Sequence, residues 1–137
     1  MKILAIDLGE SRTGLAMSDI YEVLASPLCV LAEKNREVLA NQIKKICKDK
    51  GISKIILGLP KNMDGSEGKS AQIAKDFGKM LEERTQLPVI LQDERMTTIT
   101  AHTYLNEINL HGKKRKEIVD AVAASVVLQN YLDGQRF

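Results

Sequence analysis

The segment Ile3 to Leu8 constrains the fold more than any other. It is apolar except for Asp7 and runs out at Asp7-Leu8-Gly9, the pattern of a buried central strand that surfaces at its carboxyl end. Gly9-Glu10-Ser11-Arg12-Thr13-Gly14 then reads as a turn, and Leu15 to Ser18 as the second arm of a hairpin.

Leu24 to Leu31 is a third strand candidate, with Pro27 inside it. Glu37 to Lys50 places Leu39, Ile43, Ile46 and Cys47 on one helical stripe and Lys44, Lys45 and Lys48 off it. Gly51 closes that helix. Lys54 to Leu59 is a second buried strand, ended by Gly58-Leu59-Pro60. Ile73, Phe77, Met80, Leu81 and Arg84 mark an amphipathic helix, and Pro88 to Leu91 a short strand. Thr97 or Thr98 can cap a helix reaching about Glu107. Ile108 to Lys114 reads as a polar, basic loop, and Arg115 to Leu132 as the last helix, whose Ala121, Ala123 and Ala124 allow close packing. The order β-β-β-α-β-α-β-α-α predicts an α/β fold with a mixed five-stranded sheet. An antiparallel meander leads into parallel strands, with helices flanking the sheet. No repeat, low-complexity tract or linker interrupts the chain, so residues 1–137 read as a single domain. Ligands in such sheets bind beyond the carboxyl ends of the parallel strands. Three segments leave strands there: Asp7-Leu8-Gly9, Pro60 to Gly68, and Gln92-Asp93-Glu94-Arg95.

Composition narrows the partners. A formal net charge of +2 does not by itself imply a polyanion. Aromatics make up 4% with no Trp, which argues against single-strand binding by base stacking. Cys29 and Cys47 form no CxxC pair and are too few for zinc, so they read as reduced thiols filling core space. The N-terminal apolar run is too short for a signal peptide, and no window reaches transmembrane length. A soluble cytoplasmic protein with no membrane partner is expected.

The chemistry rests on carboxylates. Asp7 follows four apolar residues, and a buried carboxylate needs partners or a metal. It can instead hydrogen-bond the Gly9 turn. Asp93 and Glu94 follow Val89-Ile90-Leu91 and precede Arg95, a pattern that a strand-end salt bridge also explains. Asp120 lies in the first turns of the last helix, where an acid complements the dipole. Yet Ile118 to Leu128 is nearly all apolar, and a lone Asp there tends to face a cation. Acids converging on one sheet edge without His or Cys suit hard, oxygen-preferring cations such as Mg²⁺ or Mn²⁺. Two such ions ~4 Å apart can activate water and stabilise an in-line phosphoryl displacement.

The run His111-Gly112-Lys113-Lys114-Arg115-Lys116 precedes Asp120. Basic runs are commonly solvated loops, but the position of this one beside an acid suits phosphate contact. The loop Pro60 to Gly68 is long for a βα connection, and its Lys61, Asn62 and Ser66 are candidates for phosphate or sugar contacts. His102 and His111 receive no catalytic role.

Four motifs in order then identify a resemblance. They are Asp7-Leu8-Gly9 with Arg12-Thr13-Gly14-Leu15-Ala16 and Ser18-Asp19; Gly58-Leu59-Pro60 with Asn62 to Gly68; Asp93-Glu94-Arg95-Met96-Thr97-Thr98; and Asp120-Ala121 with Ala123-Ala124, Leu128-Gln129 and Tyr131-Leu132. The chain resembles, over nearly its whole length, the YqgF or RuvX-like family. Its members are described as Holliday junction resolvases and as nucleases of the small-subunit ribosomal RNA precursor. The resemblance implies an RNase H-like fold, a divalent metal and a nuclease role in ribosomal RNA maturation. The family's catalytic acids match Asp7, Glu94 and Asp120, with Asp93 a further candidate ligand. Arg12 and Arg95 fall within the motifs and join the candidate nucleic-acid contacts. The chain departs from many members at His102 and Thr103, where they carry Glu and Arg.

The leading expectation is a nuclease acting on structured RNA, at the 5′ end of the 16S precursor. A resolvase acting on branched DNA shares the fold and metal site, and would need a symmetric dimer whose seam the sequence does not display. A non-catalytic nucleic-acid-binding factor has no need of three acids that repel its ligand. An actin-like ATPase or sugar kinase also begins with Asp-x-Gly, but needs a second lobe.

Overall fold

The computed structural model describes residues 1–95, 103, 106–107 and 113–135, with the backbone alone for 113–117. Its strands are β1 (Lys2–Asp7), β2 (Thr13–Ser18), β3 (Ala25–Leu31), β4 (Ile52–Leu59) and β5 (Val89–Asp93). Its helices are α1 (Arg36–Lys50), α2 (Lys69–Thr85) and α3 (Lys113–Gly134). The sheet order is β3-β2-β1-β4-β5, with β1–β2 and β2–β3 antiparallel and β1–β4 and β4–β5 parallel. This is the mixed five-stranded sheet expected from the pattern, with the apolar β1 at its centre.

Alternation along the strands assigns each side chain to one of two layers. Leu4, Ile6, Leu15, Ile55 and Leu57 pack with α1 and α2 through Leu39, Ile43, Phe77 and Leu81. Ile3, Ala5, Ala16 and Ile56 pack with α3 through Ala124, Val127 and Leu128. Burying a side chain the size of Phe77 or Leu81 stabilises the fold by about 2–3 kcal/mol, and both are nearly inaccessible to water. Ala121, Ala123 and Ala124 are buried, as their small size anticipated.

Pro27 is tolerated because β3 is an edge strand. A register shift between Leu15 and Ala16, which pair with Cys29 and Pro27, leaves Leu28 as the extra residue of a bulge. Asn35 caps α1 by accepting from Val38 N at 3.1 Å, and Gly51 ends it in the left-handed region at φ 69°. In α2 the buried row is Ala71, Ala74, Phe77, Gly78 and Leu81, whereas Ile73, expected on the core stripe, is exposed. The smaller residues face inward because the helix lies close to the sheet. β5 extends through Gln92 and Asp93, two residues past its expected end. Cys29 and Cys47 are free, and burial pushes the Cys47 thiol up to about 11.

One expectation fails at a boundary. Lys113 and Lys114 belong to the first turn of α3 and not to a loop. The α-helical backbone simply continues N-terminally through residues with good helix propensity. The expected helix from Thr97 or Thr98 to Glu107, with His102, and the segment containing His111 fall almost wholly outside the described residues; Thr103, Asn106 and Glu107 are helical. Among the described residues, no helix is long and apolar enough to cross a membrane.

Candidate active site

Asp7 ends β1 on the layer that Ile3 and Ala5 define, so it faces α3. Its ladder partner is Gly14 of β2. A Cβ on Gly14 would lie 1.9 Å from the carbonyl oxygen of Asp120 and 2.6 Å from the nitrogen of Ala121. Only glycine lets the α3 backbone rest on the strand here. That contact brings Asp120 beside Asp7.

Glu94 follows β5, and its N–H donates to the Leu59 carbonyl at 3.2 Å, which carries the parallel β4–β5 pairing one step past the strand. Its side chain lies over Gly58, where a Cβ would come within 2.2 Å of Oε2. Gly58 shares the face of Ile56, which is again the α3 face. Two strand glycines therefore make room for two of the acids.

Burial dominates the electrostatics. It raises the Asp7 carboxyl; a hydrogen bond with Glu94 partly offsets this, and the charge of Asp120 adds to the rise. Glu94 is pushed up to about 9, first by burial, then by the charge of Asp7 and by the same hydrogen bond, in which Glu94 keeps the proton. Two carboxylates in such contact must share a proton or a cation. Among the described residues, Glu94 Oε2 is shielded from water and has no hydrogen-bond partner. Asp120 forms an ion pair with Arg12, Nε to Oδ2 at 3.3 Å. The cation expected to face the lone acid of the apolar helix is thus Arg12. Asp120 is eight residues into α3, past the first turn, which weakens the dipole explanation for it.

Asp93 points to the opposite face. It accepts from Arg95 Nε at 2.9 Å and from Arg95 N at 3.0 Å, and these bonds hold its carboxyl below the usual range. Asp93 thus forms a strand-end salt bridge with Arg95, and its charge still reaches Glu94 and adds to the rise of that carboxyl. Arg95 Nη1 also donates to the Met63 carbonyl at 3.2 Å, tying β5 to the β4–α2 loop. In that loop Asn62 Nδ2 donates to Ser66 Oγ at 2.8 Å, and Ser66 N and Oγ both donate to Asp64 Oδ1. Asn62 and Ser66 thus satisfy each other, and Lys61 stands half-buried at the loop's start. Asp64 is the hub that sequence reasoning passed over, although Asp64-Gly65 is a turn signal and Gly65 takes φ 90°. Lys113, Lys114, Arg115 and Lys116 open α3, seven to four residues before Asp120. A groove of about 380 Å³ opens on the other face of this sheet edge, lined by Leu8, Gly9, Arg36, Pro60 and Lys69, away from the acids.

Among the described residues, no three His, Cys, Asp or Glu side chains stand close enough to hold one ion as they are. Asp7 and Glu94 are together, while Asp120 is drawn to Arg12. The donor set nonetheless fits a hard cation: it offers only carboxylate oxygens, and Glu94 Oε2 is buried with no donor beside it.

A mixed five-stranded sheet in this order, an antiparallel meander joined to parallel strands and flanked by helices, is the RNase H-like fold. Comparison with known proteins narrows this class. Residues 1–134 match the family described as RuvX: Holliday junction resolvase. A Clostridium beijerinckii protein named "Putative pre-16S rRNA nuclease" is 44% identical over 133 residues, covering 97% of this chain and 96% of its own. One of the same name from Clostridium botulinum strain Eklund 17B is 41% identical, with 97% of each chain covered. The chain belongs to the RuvX family. Thermus thermophilus RuvC shares the fold, with a TM-score of 0.61 at 12% identity over 99% of this chain and 96% of that one. So does the fowlpox virus resolvase solved with Holliday junction DNA, with a TM-score of 0.62 at 12% identity over 98% and 99%.

Proposed function

We propose that residues 1–137 act as one cytoplasmic nuclease domain that hydrolyses phosphodiester bonds in structured RNA, at the 5′ end of the 16S ribosomal RNA precursor. The observation that carries this reading is the α3 face of the sheet edge. There Gly14 lets the α3 backbone at Asp120 rest on β2 beside Asp7, and Gly58 makes room for the Glu94 side chain. The relatives' shared name supports RNA as the substrate.

Asp7, Glu94 and Asp120 would hold Mg²⁺ or Mn²⁺. Such an ion supplies charge neutralisation at the phosphate and activation of water. Asp7 and Glu94 share one proton in its absence, and that proton must leave for both to act as ligands. Arg12, which pairs with Asp120, and the basic residues of the first turn of α3 would meet the phosphate backbone. Asp93 is assigned to Arg95 and not to the ion.

The family description favours a second reading, a resolvase for branched DNA, which would require a symmetric dimer to make paired cuts. A cleavage assay with Mg²⁺ or Mn²⁺ separates the two readings, comparing a precursor ribosomal RNA fragment with a four-way DNA junction. RNA should be cut, and Asp7→Asn, Glu94→Gln and Asp120→Asn should each abolish cutting while remaining folded. Full cleavage by any of these variants removes that residue from the mechanism. Preferential cutting of the junction replaces the RNA reading with the DNA one.

A further inference from the structure

We propose that Arg12 is a positioning residue that holds Asp120 away from the cation site and releases it when a substrate phosphate takes over its guanidinium. The inference rests on the reading of Asp7, Glu94 and Asp120 as cation ligands, and adds an order of assembly to it.

Three features lead there. Asp120 is only 25% exposed and its Oδ2 lies 3.3 Å from Arg12 Nε, so in the metal-free protein the guanidinium supplies positive charge where a cation would otherwise sit. The acids are consequently divided: Asp7 with Glu94, Asp120 with Arg12, and among the described residues no three stand together. Arg12 is itself 46% exposed, at the end of a tight turn where a Cβ on Gly9 would come within 2.1 Å of the Arg12 carbonyl. The backbone of Arg12 is thus fixed while its side chain remains reachable from solvent.

A guanidinium in this position has two possible partners. A carboxylate and a phosphate both accept its planar pair of N–H donors, and a phosphodiester entering beside Asp120 competes for them. The Arg12 side chain is partly exposed and its contact at Asp120 Oδ2 is an ion pair without a hydrogen bond at that atom, so a phosphate can compete with it. Once Arg12 turns to the phosphate, Asp120 loses the charge of the guanidinium beside two other acids, which favours a cation there. Substrate and metal binding then help each other, and the coupling must be reciprocal. A cation binding without nucleic acid must displace Arg12 unaided.

The test measures Mn²⁺ binding by calorimetry for the full chain, with and without a phosphorothioate oligonucleotide that carries backbone charge and resists hydrolysis. Arg12→Gln should bind Mn²⁺ about tenfold more tightly than wild type without the oligonucleotide, because a competing cation next to a divalent ion is gone. The oligonucleotide should tighten Mn²⁺ binding to wild type and do so markedly less for Arg12→Gln. Arg12→Lys keeps the charge but not the planar fork, so it should match wild type without the oligonucleotide and lose the coupling. Equal or weaker Mn²⁺ binding by Arg12→Gln overturns the proposal, as does equal coupling in all three proteins. A purely structural Arg12 would lower melting temperature and Mn²⁺ affinity together. Asp120→Asn separates the two levels. If it leaves Mn²⁺ affinity unchanged, the ligand reading itself fails and takes the latch with it. If it weakens Mn²⁺ binding while Arg12→Gln does not strengthen it, the latch alone fails.

Discussion

Replacing Glu94 by Gln should stabilise the metal-free protein above neutral pH and leave it unchanged near pH 4.5. The folded protein holds the Glu94 carboxyl at about 9 against an ordinary value of 4.5, because burial and the charge of Asp7 oppose ionisation. A carboxyl raised in the folded state contributes stability that is fully present below its unfolded value and lost as pH rises toward the folded one. The window is therefore pH 4.5 to 9. Each pH unit within it is worth about 1.4 kcal/mol, so holding the proton at pH 7 costs the fold at most about 3 kcal/mol relative to pH 4.5. Glu94 is only half-buried, and solvent screening lowers the expected difference to about 1–2 kcal/mol. Gln has the shape of the protonated acid and can still donate to Asp7, but has no proton to lose. Its melting temperature in EDTA should exceed that of wild type by about 3–8 °C at pH 8, and the two should converge toward pH 5. Asp19, Asp64, Glu67 and Asp93 sit below the usual carboxylate range. Their stabilisation is lost only as pH falls further, outside this window, and is common to both proteins. Equal melting curves at every pH, or a less stable Gln variant at pH 8, would refute the account of Glu94 as a buried, repelled acid.

Gly14→Ala inserts a methyl group 1.9 Å from the Asp120 carbonyl oxygen, so α3 must move by about 1 Å or more. A displacement of that size at a catalytic group costs about 100-fold in turnover, with about 1–3 kcal/mol of stability lost to overpacking; wild-type cleavage kinetics would show that the close approach does not matter. Asp93→Asn removes the partner of Arg95 and not a cation ligand, so Mn²⁺ affinity measured by calorimetry should stay within about twofold of wild type, as expected for removing one exposed ion pair; a large drop would return Asp93 to the site. Replacing Lys113, Lys114 and Lys116 by Ala should make the log–log salt dependence of RNA binding shallower by about 0.7–0.9 for each phosphate that is no longer neutralised. Saturated turnover should hold, and an unchanged slope would show that the basic start of α3 is only solvated.

Much of this arrangement is legible in the sequence through strand parity. Ile3 and Ala5 face α3, so Asp7 two residues on must do so as well; the same step carries Ile56 to Gly58, and two such steps carry Ile90 to Glu94. Parity also sends Asp93 to the opposite face, although its place in the motif beside Glu94 suggests a ligand. Gly14 and Gly58 follow from the same kind of rule, since a glycine inside a strand marks close approach of another chain segment or side chain. The N-terminal limit of α3 is not legible. His111-Gly112 and the lysines carry no cap signal that separates loop from first turn, and local propensity permits either. The division of the acids is also hidden, because the Arg12–Asp120 pair joins residues 108 positions apart and depends on how α3 lies on β2.

The local rules broken at this edge point to a bound cation more strongly than any one acid does. A glycine inside a strand costs about 0.5–1 kcal/mol relative to alanine, and β2 and β4 each carry one, Gly14 and Gly58. A buried carboxyl oxygen without a donor costs more, and among the described residues Glu94 Oε2 is one. A scaffold selected for stability alone would remove both costs by placing alanine on the strands and an apolar residue after Asp93. Instead the glycines lie against the backbone of Asp120 and the side chain of Glu94, Asp7 and Glu94 carry the electrostatic strain, and Arg12 pairs with Asp120. Structural explanations account for each feature alone: a tight turn for Asp7, a salt bridge for Asp120, a strand end for Glu94. None explains why one glycine admits the α3 backbone at Asp120 and the other the Glu94 side chain at the same sheet edge as Asp7. A divalent cation would, because it would convert the repulsion between Asp7 and Glu94 into shared coordination, and the cost visible without it would be part of the free energy that binding returns.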